Sequence, residues 1–178
     1  PFLTGYSRKK RFEMMLSAVF YPSPKTADNL VLEYLFGKKP IKNLSELFHL
    51  LKISTLKDKR YTSVHLFARV FVKSYKPPKL PSLHTFKRVM RLFEETEFLH
   101  KRYRPDLPFF NYCWLLSKNL EEFKLSEYRV FVKPLKCKNR NHYYELMYTQ
   151  LQKFMRPLSC FHRGSRKVSV CEMRNVLQ

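Results

Sequence analysis

A chain of 178 residues is long enough for one domain with its own core, and its 44% hydrophobic and 16% aromatic content excludes a disordered basic tail. Lys and Arg number 35 against 14 Asp and Glu, a formal charge of +21, where a net charge of about 2–8 keeps a small domain soluble. Such an excess repels itself in the compact state unless a polyanion relieves it, and no apolar run approaches the ~18–20 residues of a membrane span.

Proline punctuates the chain, and between prolines the apolar residues recur at helical spacing. Residues 1–25 read as a basic N-terminal segment. After Tyr21-Pro22-Ser23-Pro24, Thr26 can cap a helix that ends near Lys38, with Gly37 as its stop. Asn43 and Glu46 form a capping pair for a helix from Leu44 to Lys52, whose Leu47, Leu50 and Leu51 share a face. Tyr61, Val64, Ala68, Phe71, Val72 and Tyr75 predict a helix from Tyr61 to about Tyr75, with a strand from Val64 to Val72 as the competing reading.

Pro77, Pro78 and Pro81 force an extended connector. Ser82 then caps a helix with Leu83, Phe86, Met90 and Phe93 on one stripe, closed by Lys101-Arg102-Tyr103-Arg104-Pro105. Asp106 and Pro108 start the next helix, with Phe109, Tyr112, Cys113, Leu116, Leu120 and Phe123 as its buried face. Ser126 caps a short helix ending near Pro134. Asn139 begins a last long helix carrying Tyr144, Met147, Tyr148, Leu151, Phe154 and Met155 inward. The expected fold is mainly α, a compact multi-helix domain of six or seven helices over 26–156, followed by a basic C-terminal extension over 157–178.

The positive charge falls in four clusters at the expected helix junctions. They are Arg8, Lys9, Lys10 and Arg11; Lys101, Arg102 and Arg104 in a loop; Lys133, Lys136, Lys138 and Arg140 around Pro134; and Arg163, Arg166 and Lys167 near the C-terminus. Lys and Arg beside helix N-termini suit phosphate oxygens, because side chains bring charge and free amides bring donors. Tyr103, His142 and Tyr143 lie among these charges and are placed to stack on bases or sugars. Any one cluster alone reads as a solvated face, and the recurrence at junctions is what favours a nucleic-acid partner.

Cys137, His142, Cys160, His162 and Cys171 are the right residue types for zinc, but they lack the two close ligand pairs of structural zinc sites. Buried Cys and surface His are the expectation, with no metal, no cofactor and a reducing intracellular compartment. Glu94, Glu95 and Glu97 read as a salt-bridged helix face. Three glycines leave no GxGxxG or P-loop run. No His has a nucleophile or carboxylate partner in local sequence, so the expectation is a protein that is not an enzyme and takes no small-molecule substrate.

From about Leu44 to Phe154 the order of features resembles the poxvirus-type late transcription factor family of large DNA viruses. The residues that carry it are Leu50-Leu51-Lys52 leading to Tyr61, then Phe86 to Phe93 with Phe98, and Arg104. Phe110-Asn111-Tyr112 with Leu115, Leu116 and Lys118 follow, then Tyr128, Lys133-Pro134-Leu135-Lys136 and the aromatic helix Tyr143 to Phe154. The resemblance implies a DNA-directed factor working with a viral RNA polymerase at late promoters, in a viral factory or nucleus. Members commonly carry an N-terminal zinc-binding Cys cluster, and this chain departs from that with no Cys before Cys113. The competing expectation is a structural RNA-binding protein among ribonucleoprotein subunits, as in a mitochondrial ribosome in the organelle matrix.

Overall fold

The computed structural model of the chain describes residues 7–21, 41–53 and 64–157. Among these the protein is mainly helical, with α1 (Arg8–Phe20), α2 (Leu44–Ile53), α3 (Val64–Phe71), α4 (Leu83–Tyr103), α5 (Tyr112–Glu122), a 3-10 helix (Ser126–Phe131) and α6 (Lys138–Gln152). The expected helix from Thr26 to Lys38 and the C-terminal extension beyond 157 lie outside the described residues.

The basic block at the N-terminus does not belong to a separate segment. Ser7 accepts a hydrogen bond from the Lys10 amide at 3.3 Å and caps α1. From there Phe12, Leu16, Val19 and Phe20 recur along one face and are buried. Phe12 stacks on Phe93 of α4 at 4.2 Å between ring centroids, and burying such a side chain is worth about 1.5–3 kcal/mol. The charged first turn therefore heads a helix whose other face is core.

α4 is the hub. Ser82 caps it through the Thr85 amide at 3.1 Å, and α1, α5 and α6 all pack against its 21 residues. Val89, Met90, Leu92, Phe93, Thr96, Leu99 and His100 are its buried residues. One hydrophobic cluster runs from Phe12 through α2, α3, α4 and α5 to Leu151 of α6.

At α2 the capping pair forms as its sequence requires. The Glu46 amide donates to Asn43 Oδ1 at 2.9 Å, and Glu46 Oε2 accepts from the Lys42 amide at 2.8 Å. α3 is a helix rather than a strand, and only Val72 just beyond it makes an isolated bridge, to Ile41. It ends earlier than Tyr75. Lys76 precedes Pro77 and is biased out of the helical region, and a Val72–Tyr75 turn closes the chain instead. The connector that follows is tied down by two phenols, Tyr21 Oη donating to the Pro81 carbonyl at 2.9 Å and Tyr128 Oη to that of Lys79. Burial holds the Tyr128 hydroxyl up at about 12.

Three expected boundaries move. α5 starts at Tyr112, not at Asp106 or Pro108, because Asn111 Oδ1 accepts from the Trp114 amide at 3.1 Å and fixes the cap there. The segment before it is anchored by His100, whose Nε2 donates to the Leu107 carbonyl at 3.0 Å. Ser126 caps nothing; Leu125 occupies that position and the short helix is 3-10, ending at Phe131 with Tyr128 and Phe131 buried. The last helix stops at Gln152, so Phe154 falls outside it and stands 39% exposed rather than facing the core.

Candidate nucleic-acid interface

Helix ends decide what each basic cluster means. An α-helix carries partial positive charge at its N-terminus and negative charge at its C-terminus, so cations are favourable in a last turn and unfavourable in a first. Lys101 and Arg102 do not sit in a loop. They occupy the last turn of α4, with Arg104 as its C-cap residue. The dipole accounts for their position, and Lys101 also pairs with Glu97 at 3.8 Å. Arg104 is engaged by Asp106 at 3.6 Å and by Gln150.

The other two described clusters run against the dipole. The first turn of α1 is Arg8-Lys9-Lys10-Arg11 and contains no carboxylate. α6 opens with Lys138, Asn139 and Arg140, again with no carboxylate in the first turn and no side-chain cap from Cys137. Its leading amides therefore lack a partner within the helix and have none from a capping side chain. Lys133, Lys136, Lys138 and Arg140 are all exposed. Arg163, Arg166 and Lys167 lie outside the described residues.

Part of the α1 cluster is used inside the protein. Arg8 reaches Glu97 at 3.8 Å and lies over the Phe109 ring at 4.8 Å. Lys9 pairs with Glu94, which raises its pKa above the ordinary lysine value through a hydrogen bond and charge attraction. Arg11 lies over the Tyr112 ring at 5.2 Å. The acidic run of α4 is accordingly a salt-bridged face, with Glu95 holding Arg156 at 3.3 Å.

These contacts join clusters that are distant in sequence. Arg8 and Lys101 share the Glu97 carboxylate. Arg8 and Arg11 both act electrostatically on the Tyr112 hydroxyl, and Arg11 and Lys133 both act on the Cys113 thiol, whose pKa is nonetheless pushed up by burial. The positive charge of α1, the end of α4 and the segment leading into α6 is thus linked through the start of α5. No local sequence signal announces Glu94 and Glu97 as partners of α1.

A cleft of about 330 Å³ lies beside this region, lined in part by Cys113, Trp114, Lys118, Arg129, Lys133 and Asn141. Several of its polar groups are spent on one another. Lys118 pairs with Glu145 at 3.2 Å, Arg129 donates to Ser117 Oγ at 3.0 Å, and Asn141 Nδ2 donates to the Leu135 carbonyl at 2.8 Å.

Of the residues considered for zinc, Cys137 is an exposed free thiol and His142 is exposed on α6. Cys160, His162 and Cys171 lie outside the described residues. Among the described residues no group of three His, Cys, Asp or Glu is arranged to hold a metal ion, and no helix is long and apolar enough to cross a membrane. Of the aromatics expected to stack on bases, Tyr143 is half-buried beside Tyr144 and Tyr103 is covered by Phe154.

The class of protein defined by fold and surface is a basic, mainly helical one with cation-bearing helix N-termini. Comparison with protein families, curated proteins and solved structures finds no match to the chain.

Proposed function

We propose that the protein binds nucleic acid without catalysing a reaction on it, seating backbone phosphates on the first turns of α1 and α6. One observation carries the reading. Both helices begin with cations and no carboxylate of their own, a placement that costs stability at a helix N-terminus unless an anion sits there; at α1 Glu97 and Glu94 of α4 supply part of that anion, and the first turn of α6 has no capping side chain. The helix dipole favours Lys101 and Arg102 where they stand and opposes the cations that open α1 and α6, so the phosphates are assigned to those two clusters, with α6 weighing more because Arg8 and Lys9 of α1 also meet Glu97 and Glu94. The formal charge of +21 supplies the long-range attraction.

The polymer in this reading is DNA, and the role is late-gene transcription alongside an RNA polymerase, as the order of features from Leu44 to Phe154 suggests. A salt titration tests it. For duplex DNA, log affinity should fall linearly with log salt, with a slope of about 0.9 per phosphate engaged. Tighter binding of structured RNA at equal salt moves the assignment to the ribonucleoprotein reading. Absence of binding to either polymer at low salt refutes both.

A further inference from the structure

Phe154 is one of several large apolar side chains among the described residues that the core does not cover, and it is the one stacked on another aromatic ring beside the basic end of α4. The residue is 39% exposed. Yet it is held in place. Its amide donates to the Leu151 carbonyl at 3.0 Å. Two residues on, Arg156 is fastened to Glu95 of α4 by its amide at 2.9 Å and its Nε at 3.3 Å. Its ring lies nearly parallel to that of Tyr103, 4.1 Å between centroids and 12° between planes.

Several cations lie close by, of which Arg104 is met by Asp106 and Arg156 by Glu95. Arg102 lies over the Tyr103 ring at 5.7 Å, Arg104 caps the same helix end, and Lys153 precedes Phe154. A parallel aromatic pair whose outer residue is exposed, fixed by backbone and ion-pair contacts, with Arg102 over its inner ring and Arg104 at the same helix end, has the two parts of a single-strand site. One is a π-face that any base can cover, and the other is positive charge for the phosphates on either side. A duplex cannot use the first part, because its bases are already stacked.

We infer that Phe154, backed by Tyr103, is a stacking platform for an unpaired base of a single-stranded nucleic acid. The inference rests on the nucleic-acid reading above and adds that the polymer is engaged where it is open. The ring enters a base stack as its next member, and its fixed position spares the entropy of ordering a free side chain.

The experiment measures binding of the full chain, Phe154→Ala and Phe154→Leu to a labelled oligothymidine, to the same oligomer with abasic sugars, and to a duplex. Both variants should bind the oligothymidine roughly five- to a hundredfold more weakly. Their binding to the abasic oligomer and the duplex should be unchanged, and so should the salt slope, because no phosphate contact is removed. Leu keeps the apolar bulk and removes only the π-face, so its loss identifies stacking. Wild-type affinity for oligothymidine in both variants overturns the platform and leaves the phosphate reading standing, as does an equal loss on the abasic oligomer. Failure of the unaltered protein to bind any of the three removes the nucleic-acid reading itself.

Discussion

Replacing Lys138 and Arg140 together with Gln should make the protein more stable and a poorer binder at once. Both side chains are exposed in the first turn of α6, whose amides have no side-chain cap. Each cation there opposes the helix dipole at a cost of about 0.3–1 kcal/mol at low ionic strength. Gln matches Lys and Arg in helix propensity, so little else changes. Removing both charges should raise stability by roughly 0.6–2 kcal/mol, an increase in Tm of a few degrees for a chain of this size. If both cations hold phosphates, the slope of log affinity against log salt for duplex DNA should become shallower by about 1.8. Thermal unfolding by circular dichroism and fluorescence anisotropy on the same preparations read the two effects. A variant that is less stable than the parent, or that keeps its salt slope, refutes the reasoning.

Three further outcomes follow from the packing. Phe12→Ala should cost about 3–5 kcal/mol in urea unfolding, because its fully buried ring is stacked on Phe93; a loss below about 0.5 kcal/mol, the size seen at surface positions, would show that α1 is not part of the core. Burial lowers the His100 pKa, so the folded state takes up a proton less readily than the unfolded chain. Stability should therefore fall as pH drops below the ordinary value of 6.5 and be fully recovered above it, a dependence that His100→Gln should weaken in acid unfolding. Cys137 should react with iodoacetamide faster than Cys113, which is half-buried with its pKa raised. Duplex DNA should protect Cys137 because that thiol heads the α6 cluster, and peptide mass spectrometry distinguishes the two sites.

What was legible in the sequence was what local chemistry decides. Ser82 with its apolar stripe, and Asn43 with Glu46, announced α4 and α2 because cap and periodicity agree within a few residues. α1 was harder to see. Its apolar spacing is present, but its first turn carries four cations where helix starts favour acids, so charge disguised a core helix as a tail. Asp106 and Pro108 resemble a helix start, yet Asn111 supplies the cap that wins. The basic clusters themselves were visible as charge. Their sorting was not, because it depends on which end of a helix each occupies, and on Glu94 and Glu97 arriving from another element. Phe154 fits the helical period and so resembles a core position, since periodicity cannot tell that the helix stops two residues before it.

The central claim is that phosphates dock on the opening turns of α1 and α6, and hydrogen–deuterium exchange of the backbone amides, with and without duplex DNA, tests it most directly. The account predicts slowed exchange over residues 8–9 and 138–140, where the leading amides lack a partner within their own helices and are open to a bound anion, whereas the Lys10 and Arg11 amides are already held by Ser7. Protection confined to other segments, or no change at either helix start under conditions where DNA is bound, would contradict it.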